Sequence, residues 1–155
     1  MKINQRKSIS FVLLSLATVF VLLMTTGSTY PVAYGANDVI AAVNSLRAEY
    51  GLQPYDTSLE LNGICQGHEE YMASLGELTH TREDGSGVPT TAENIAYGPI
   101  NTAMASWVDD QPHFDTLIGW SKAQVGAGVA EAGGIAYICL NIKRYNDTEF
   151  NQIPF

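Results

Sequence analysis

Apolar positions along the chain change rhythm several times, and each change predicts an element. In NDVIAAVNSLRAEYG, Val39, Val43, Leu46 and Tyr50 recur at spacings of four, three and four. That is one face of a helix. Asn37 is placed to cap its start and Gly51 to end it. DTSLELNGICQGHEEYMASLG repeats the helical rhythm, with Leu61, Ile64, Cys65, His68, Met72 and Leu75 on one stripe. Thr57 and Glu60 have capping-box spacing, and Gly76 stops the helix. Gly63 and Gly67 weaken it locally, so close packing of a neighbour against them is expected. Residues 77–100 lack helical periodicity, and REDGSGVPTT within them is turn chemistry. NTAMASWVDDQP predicts a short helix capped by Asn101 or Thr102 and halted by Pro112. QVGAGVA and IAYICLNIKR then alternate, with β-branched residues, on either side of the turn signal EAGG. That is a hairpin. Helices, an irregular polar stretch, another helix and paired strands make an α+β domain.

The first residues follow none of these rhythms. Lys2, Arg6 and Lys7 precede an uncharged, mostly apolar run from Phe11 to Met24, and small residues Ala33 and Gly35 follow. This is the pattern of a secretory signal peptide. The run is shorter than the roughly 20 residues a spanning helix needs, so a cleaved leader over residues 1–35 is favoured over an anchor. One domain over 36–145 and a C-terminal tail over 146–155 complete the chain. The mature protein is then secreted, extracellular and without stable membrane association. Asn146-Asp147-Thr148 is a glycosylation sequon that matters only in a eukaryotic secretory host.

Removing the leader changes the charge. The whole chain is −8, but the part after residue 35 keeps 5 Lys+Arg against 16 Asp+Glu, a net of −11. Nucleic acid is excluded as a partner, because phosphate tracking needs a basic patch. Cys65 and Cys139 are the two cysteines. Export brings them to an oxidising environment, and both fall on faces assigned to the interior. A disulfide between them is expected, worth up to about 4–5 kcal/mol in the chain-entropy account.

Several separated stretches together resemble one family. VNSLRAEYGLQPY and LNGICQGHEEYMASLGELTHT look like the opening helices of the CAP superfamily, which includes cysteine-rich secretory proteins, antigen 5 and pathogenesis-related proteins. AENIAYG is similar to its GENIA-type motif, WVDDQPHFDTLI to its W…GH…IL segment, and QVGAGVA to its VGVGVA strand. The likeness runs from about Asn37 to Arg144 and is nearest to short bacterial SCP-like members. It implies an α-β-α sandwich with a small antiparallel sheet between helical layers. It also implies a cleft of two histidines and two acids, carried over here as His80, Glu93, Asp110 and His113, with Asp109 competing for the second acid. Three positions depart from the family pattern: Ala92 and Pro112 replace glycines, and the second acid is Asp. The extra disulfides of eukaryotic members are absent.

The resemblance further implies Zn2+ or another divalent cation, held by His80, Glu93 and His113, since imidazoles and a carboxylate suit zinc and leave a position for water. From spacing alone there is no local zinc motif such as HExxH. A metal-free polar cluster needs the same residues. His68, on the apolar stripe, reads as a core histidine; Trp107 and Trp120 read as packing residues. No serine or cysteine nucleophile stands out. Three functions follow as expectations: extracellular binding of a protein or peptide, metal-assisted hydrolysis with Glu93 as base, and sterol or lipid binding in an apolar groove.

Overall fold

The computed structural model describes residues 34–145, so the expected leader up to residue 33 and the tail with its sequon lie outside the described residues. Within them the order is α1 (Ala36–Glu49), β1 (Asp56–Thr57), α2 (Leu59–Leu75), β2 (Ala92–Tyr97), α3 (Ile100–Asp109), α4 (Gln111–Ile118), β3 (Ala123–Ala132) and β4 (Ile135–Arg144). The strands form one sheet in the order β1-β3-β4-β2. The β3–β4 and β2–β4 pairs are antiparallel, and the two-residue β1 adds a parallel edge. The hairpin turns at Gly133 and Gly134, both at positive φ, as the tight two-residue turn requires.

The sheet separates two apolar layers. On one side Val39, Ile40 and Val43 of α1, Ala103 and Trp107 of α3 and Leu117 of α4 pack against Val125, Ala127, Ile138, Leu140 and Ile142. On the other, Cys65 and Met72 of α2 pack against Tyr137 and Cys139. This is the expected α-β-α sandwich. Every second residue of β4 serves one layer and the alternate residues the other, as strand geometry dictates. Trp107 is packed as expected, and its indole N–H also donates to the Ile95 carbonyl at 3.2 Å.

Local details differ from the sequence reading, each for a physical reason. The α1 N-cap is Gly35, with the Asp38 carboxylate accepting from its N–H at 2.8 Å; Asn37 lies inside the helix. The cap of α2 is Ser58, whose hydroxyl accepts from the Leu61 N–H at 3.3 Å, one residue beyond Thr57. Residues 92–97 within the stretch without helical periodicity form β2, because β4 offers them a partner edge. Pro112 does not merely halt a helix: it lies in the first turn of α4, where its missing N–H has no bond to lose.

The glycines are the clearest correction. A Cβ on Gly63 or Gly67 would meet nothing within 4 Å, so nothing packs closely there. The close approach is made from the sheet. A Cβ on Gly126 would lie 2.3 Å from Leu61 Cβ, and one on Gly128 would lie 2.6 Å from the Gln66 nitrogen. Glycines on β3 therefore let α2 settle onto the strand backbone. A second unforeseen feature is Arg47, fully buried in α1 with no carboxylate paired to it among the described residues. Its guanidinium donates to the carbonyls of Gln53 (2.8 Å), Leu117 (3.0 Å) and Trp120 (2.8 Å) and stacks 3.4 Å from the Tyr55 ring centroid. Among the described residues, no helix is long and apolar enough to cross a membrane.

Candidate functional site

Glu93 is the second residue of β2. Its register partner on β4 is Asn141, and Asn141 in turn pairs with Gly126 on β3. Strand alternation turns Glu93 toward α2 and its neighbour Asn94 toward α4, where the Asn94 amide donates to the His113 carbonyl at 3.0 Å. The chain between α2 and β2 supplies the other side of the site. Gly76 ends α2 in the left-handed conformation, and Arg82 opens a turn closed by Arg82 N–H to Ser86 O (2.8 Å) and Gly85 N–H to Arg82 O (2.9 Å). His80 and Arg82 are thereby folded back over Glu93.

The Glu93 side chain is fully buried and its carboxylate is crowded with donors. Oε1 accepts from His80 Nδ1 (2.9 Å) and Arg82 Nη1 (3.2 Å); Oε2 accepts from Arg82 Nη2, Asn141 Nδ2 (3.1 Å) and the Cys139 thiol (3.4 Å). A carboxylate has about four lone-pair sites, so none is left for an incoming group. His68 stands 3.8 Å from Oε1 and its Nε2 lies 2.7 Å from the Thr79 carbonyl. A carbonyl only accepts, so that nitrogen carries the proton. Asn141 also touches both cysteine sulfurs at 3.0 Å and accepts from the Thr90 hydroxyl.

Charge follows from this geometry. Burial works to raise the Glu93 carboxyl, but the Arg82 and His80 hydrogen bonds outweigh it and hold the group below the usual carboxylate range. Burial, reinforced by the Arg82 charge, lowers the His68 imidazole, which is therefore neutral near pH 7. Glu69, one turn from Cys65 on α2, is fully buried and neither of its oxygens has a hydrogen-bond partner among the described residues. Burial first, then Cys65 and Glu93, push its carboxyl up to about 10, so it keeps its proton.

The four residues carried over as a cleft thus form two pairs. His80 joins Glu93, while His113 is hydrogen-bonded to Asp110, the residue linking α3 to α4. Asp110, not Asp109, is the acid beside His113. Among the described residues, no three His, Cys, Asp or Glu side chains are placed to hold a metal ion. Of the donor set His80, Glu93 and His113, the Glu93 carboxylate is already taken up by Arg82, His80, Asn141 and Cys139 and has no lone pair left for a metal. His80 and His113 each spend Nδ1, on Glu93 and on Asp110. His68 is a core histidine as expected, and it also borders the Glu93 cluster. The disulfide expectation is corrected as well: Cys65 and Cys139 are two buried free thiols with their sulfurs 2.8 Å apart.

Arg82, Asn141 and Glu69 were not singled out from the sequence. Arg82 carried a usable signal. It is one of five cations in an acidic domain and lies two residues after His80, yet the surrounding turn chemistry masked it. Beside the cluster, a cleft of about 590 Å³ lies between α2 and the loop that carries Arg82, bounded by Gly63, Gly67, Tyr71, Glu83 and Pro89.

A family model for the cysteine-rich secretory protein family matches residues 40–142. The chain belongs to this family, the CAP family. Solved structures agree on the fold. An outer surface protein from Borrelia burgdorferi is 17% identical with a TM-score of 0.60, over 70% of this chain and 92% of that one. An extracellular protein containing an SCP domain from Bacillus anthracis is 18% identical with a TM-score of 0.56, over 71% of this chain and 40% of the other. A cysteine-rich secretory protein from Staphylococcus aureus is 22% identical with a TM-score of 0.56, over 74% and 40%. This CAP chain therefore spans about two fifths of the length of the last two. A search among curated proteins found no match.

Proposed function

We propose that this CAP protein is exported after cleavage of its leader and acts outside the cell as a non-catalytic binding domain for a protein or peptide. The observation that carries the reading is the Arg82–Glu93 ion pair, in which the Glu93 side chain is fully buried and surrounded by donors while Arg82 is mostly buried. A general base works best with a pKa near the operating pH and an open lone pair. Glu93 has neither. Its cluster instead ties the Arg82 loop to the sheet and shapes the cleft beside α2. The description of the Borrelia and Bacillus proteins as outer-surface and extracellular supports the location.

The test combines stability with chemistry. Arg82→Ala leaves a buried carboxylate short of its counter-ion and is expected to cost about 3–5 kcal/mol in chemical denaturation. Zinc added to the untagged protein should leave its melting temperature unchanged, because only a ligand of the native state raises it. Peptide hydrolysis that requires both zinc and Glu93 would refute the reading in favour of the hydrolase. Lipid binding keeps one observation on its side: an apolar cleft of about 500 Å³ between α1 and α3, bordered by Ala42, Leu46, Met104 and Val108. Lipid that co-purifies and is lost on Ala42→Trp would favour it.

A further inference from the structure

Two glycines of α2 have no structural reason in the packing of this fold. Gly63 and Gly67 lie one turn apart on one face of the helix, and glycine is the weakest helix former after proline. A Cβ at either position would meet nothing within 4 Å, so no neighbour among the described residues needs the space they leave. Both line the cleft of about 590 Å³ between α2 and the loop that carries Arg82. A helix face without side chains lets another backbone approach it closely.

The walls beside them hold unmet hydrogen-bonding groups. His68 also lines the cleft, and its side chain is fully buried. Its Nε2 spends a proton on the Thr79 carbonyl, so Nδ1 of the neutral ring is a bare acceptor, and it has no partner among the described residues. Arg82 lines the loop side. Its Nη1 and Nη2 are held by Glu93, while its Nε–H is a buried donor with no partner among the described residues. One acceptor and one donor are left over, and each peptide unit of an extended chain carries the matching N–H and C=O. Leaving such groups unmet is costly, so a ligand that supplies both partners gains what the free protein lacks. The rim carries the exposed residues Glu83 and Asp84, in a chain that after residue 35 has 5 Lys+Arg against 16 Asp+Glu. An acidic rim on an acidic domain selects a cationic partner and steers its approach.

We propose, resting on the binding role above, that this cleft takes a basic, extended peptide segment of a partner protein. The segment's backbone crosses α2 at Gly63 and Gly67, donates to His68 Nδ1 and accepts from Arg82 Nε, and its lysine or arginine side chains lie against Glu83 and Asp84. The loop is the wall that yields: residues 83–89 are exposed, and a small outward shift there lets the peptide amide reach Nδ1.

The probe is a fluorescein-labelled octapeptide of alternating lysine and threonine, titrated into the untagged protein and read by fluorescence anisotropy. Expected is saturable binding with a dissociation constant below roughly 1 mM. Gly67→Leu fills the open face with a better helix former. It should melt no lower than wild type, yet bind the peptide about tenfold or more weakly. The same peptide N-methylated at every residue keeps its charge, loses its backbone donors and should weaken comparably. A glutamate–threonine octapeptide should not bind, and Glu83→Lys/Asp84→Lys should lose the lysine peptide. Absence of saturable binding, or a preference for the glutamate peptide, would overturn the proposal. So would equal affinity of the N-methylated peptide, which would show adhesion through charge alone. An intact peptide that binds Gly67→Leu as well as wild type strikes this cleft and leaves the non-catalytic binding role standing. Cleavage of the peptide that needs both zinc and Glu93 strikes that role instead.

Discussion

Glu69→Gln removes a titrating proton from the core and keeps the shape of the side chain. Glu69 is fully buried, its two oxygens are unpartnered among the described residues, and its carboxyl is raised from 4.5 to about 10. Below the unfolded value both states are protonated, and the residue adds no pH dependence. Above it, the unfolded chain releases the proton while the native chain keeps it. Stability therefore falls as pH rises, and the loss is complete only near the native value of about 10. Each pH unit in that window is worth about 1.4 kcal/mol. Between pH 5.5 and 8.5 the wild type should lose about 4 kcal/mol that Glu69→Gln does not, the ceiling reached if the carboxyl stays dry. The assay is urea denaturation of both proteins at pH 5.5, 7.0 and 8.5. Histidines and surface acids titrate alike in the two, so the difference between the curves isolates Glu69. A gap that widens with pH supports the assignment. A constant gap would mean that Glu69 ionises in the native state and would refute it.

Three further outcomes follow from the packing and the ion pairs. Gly126→Ala should destabilise by about 1–3 kcal/mol or more through overpacking against Leu61, whereas Gly63→Ala should stabilise by up to about 1 kcal/mol from helix propensity; thermal denaturation of both variants checks this, and equal effects would sink the account of how α2 meets the sheet. Arg47→Met keeps the aliphatic bulk but leaves the carbonyls of Gln53, Leu117 and Trp120 without their donor, each unmet group costing about 1–3 kcal/mol; a stability within 1 kcal/mol of wild type would show that water replaces the guanidinium. Glu93 has a lowered native carboxyl, so the stability it contributes is present above the usual carboxylate range and is lost as pH falls through the native value; Glu93→Gln should flatten the acid limb of the stability curve, and an unchanged limb would count against the Arg82 pairing.

Sequence alone determined the parts of this protein that depend on neighbours in the chain. The helical rhythm of Val39, Val43 and Leu46, the stripe through Leu61, Cys65 and Met72, and the two-glycine turn at Gly133 and Gly134 all report local geometry. The ordered motifs from AENIAYG to QVGAGVA were enough to place the chain in its family. Tertiary structure decided where long-range partners meet. β2 has no rhythm of its own and exists because β4 gives it an edge. Gly63 and Gly67 suggested a close contact that Gly126 and Gly128 make instead, since the strand, not the helix, must give up its side chains for the layers to approach. His113 parted from Glu93, and Arg82 took the place beside it. A buried carboxylate must be compensated by whichever donors the fold brings to it. Which donors arrive depends on strand register and loop closure, and a one-dimensional pattern of residues carries neither.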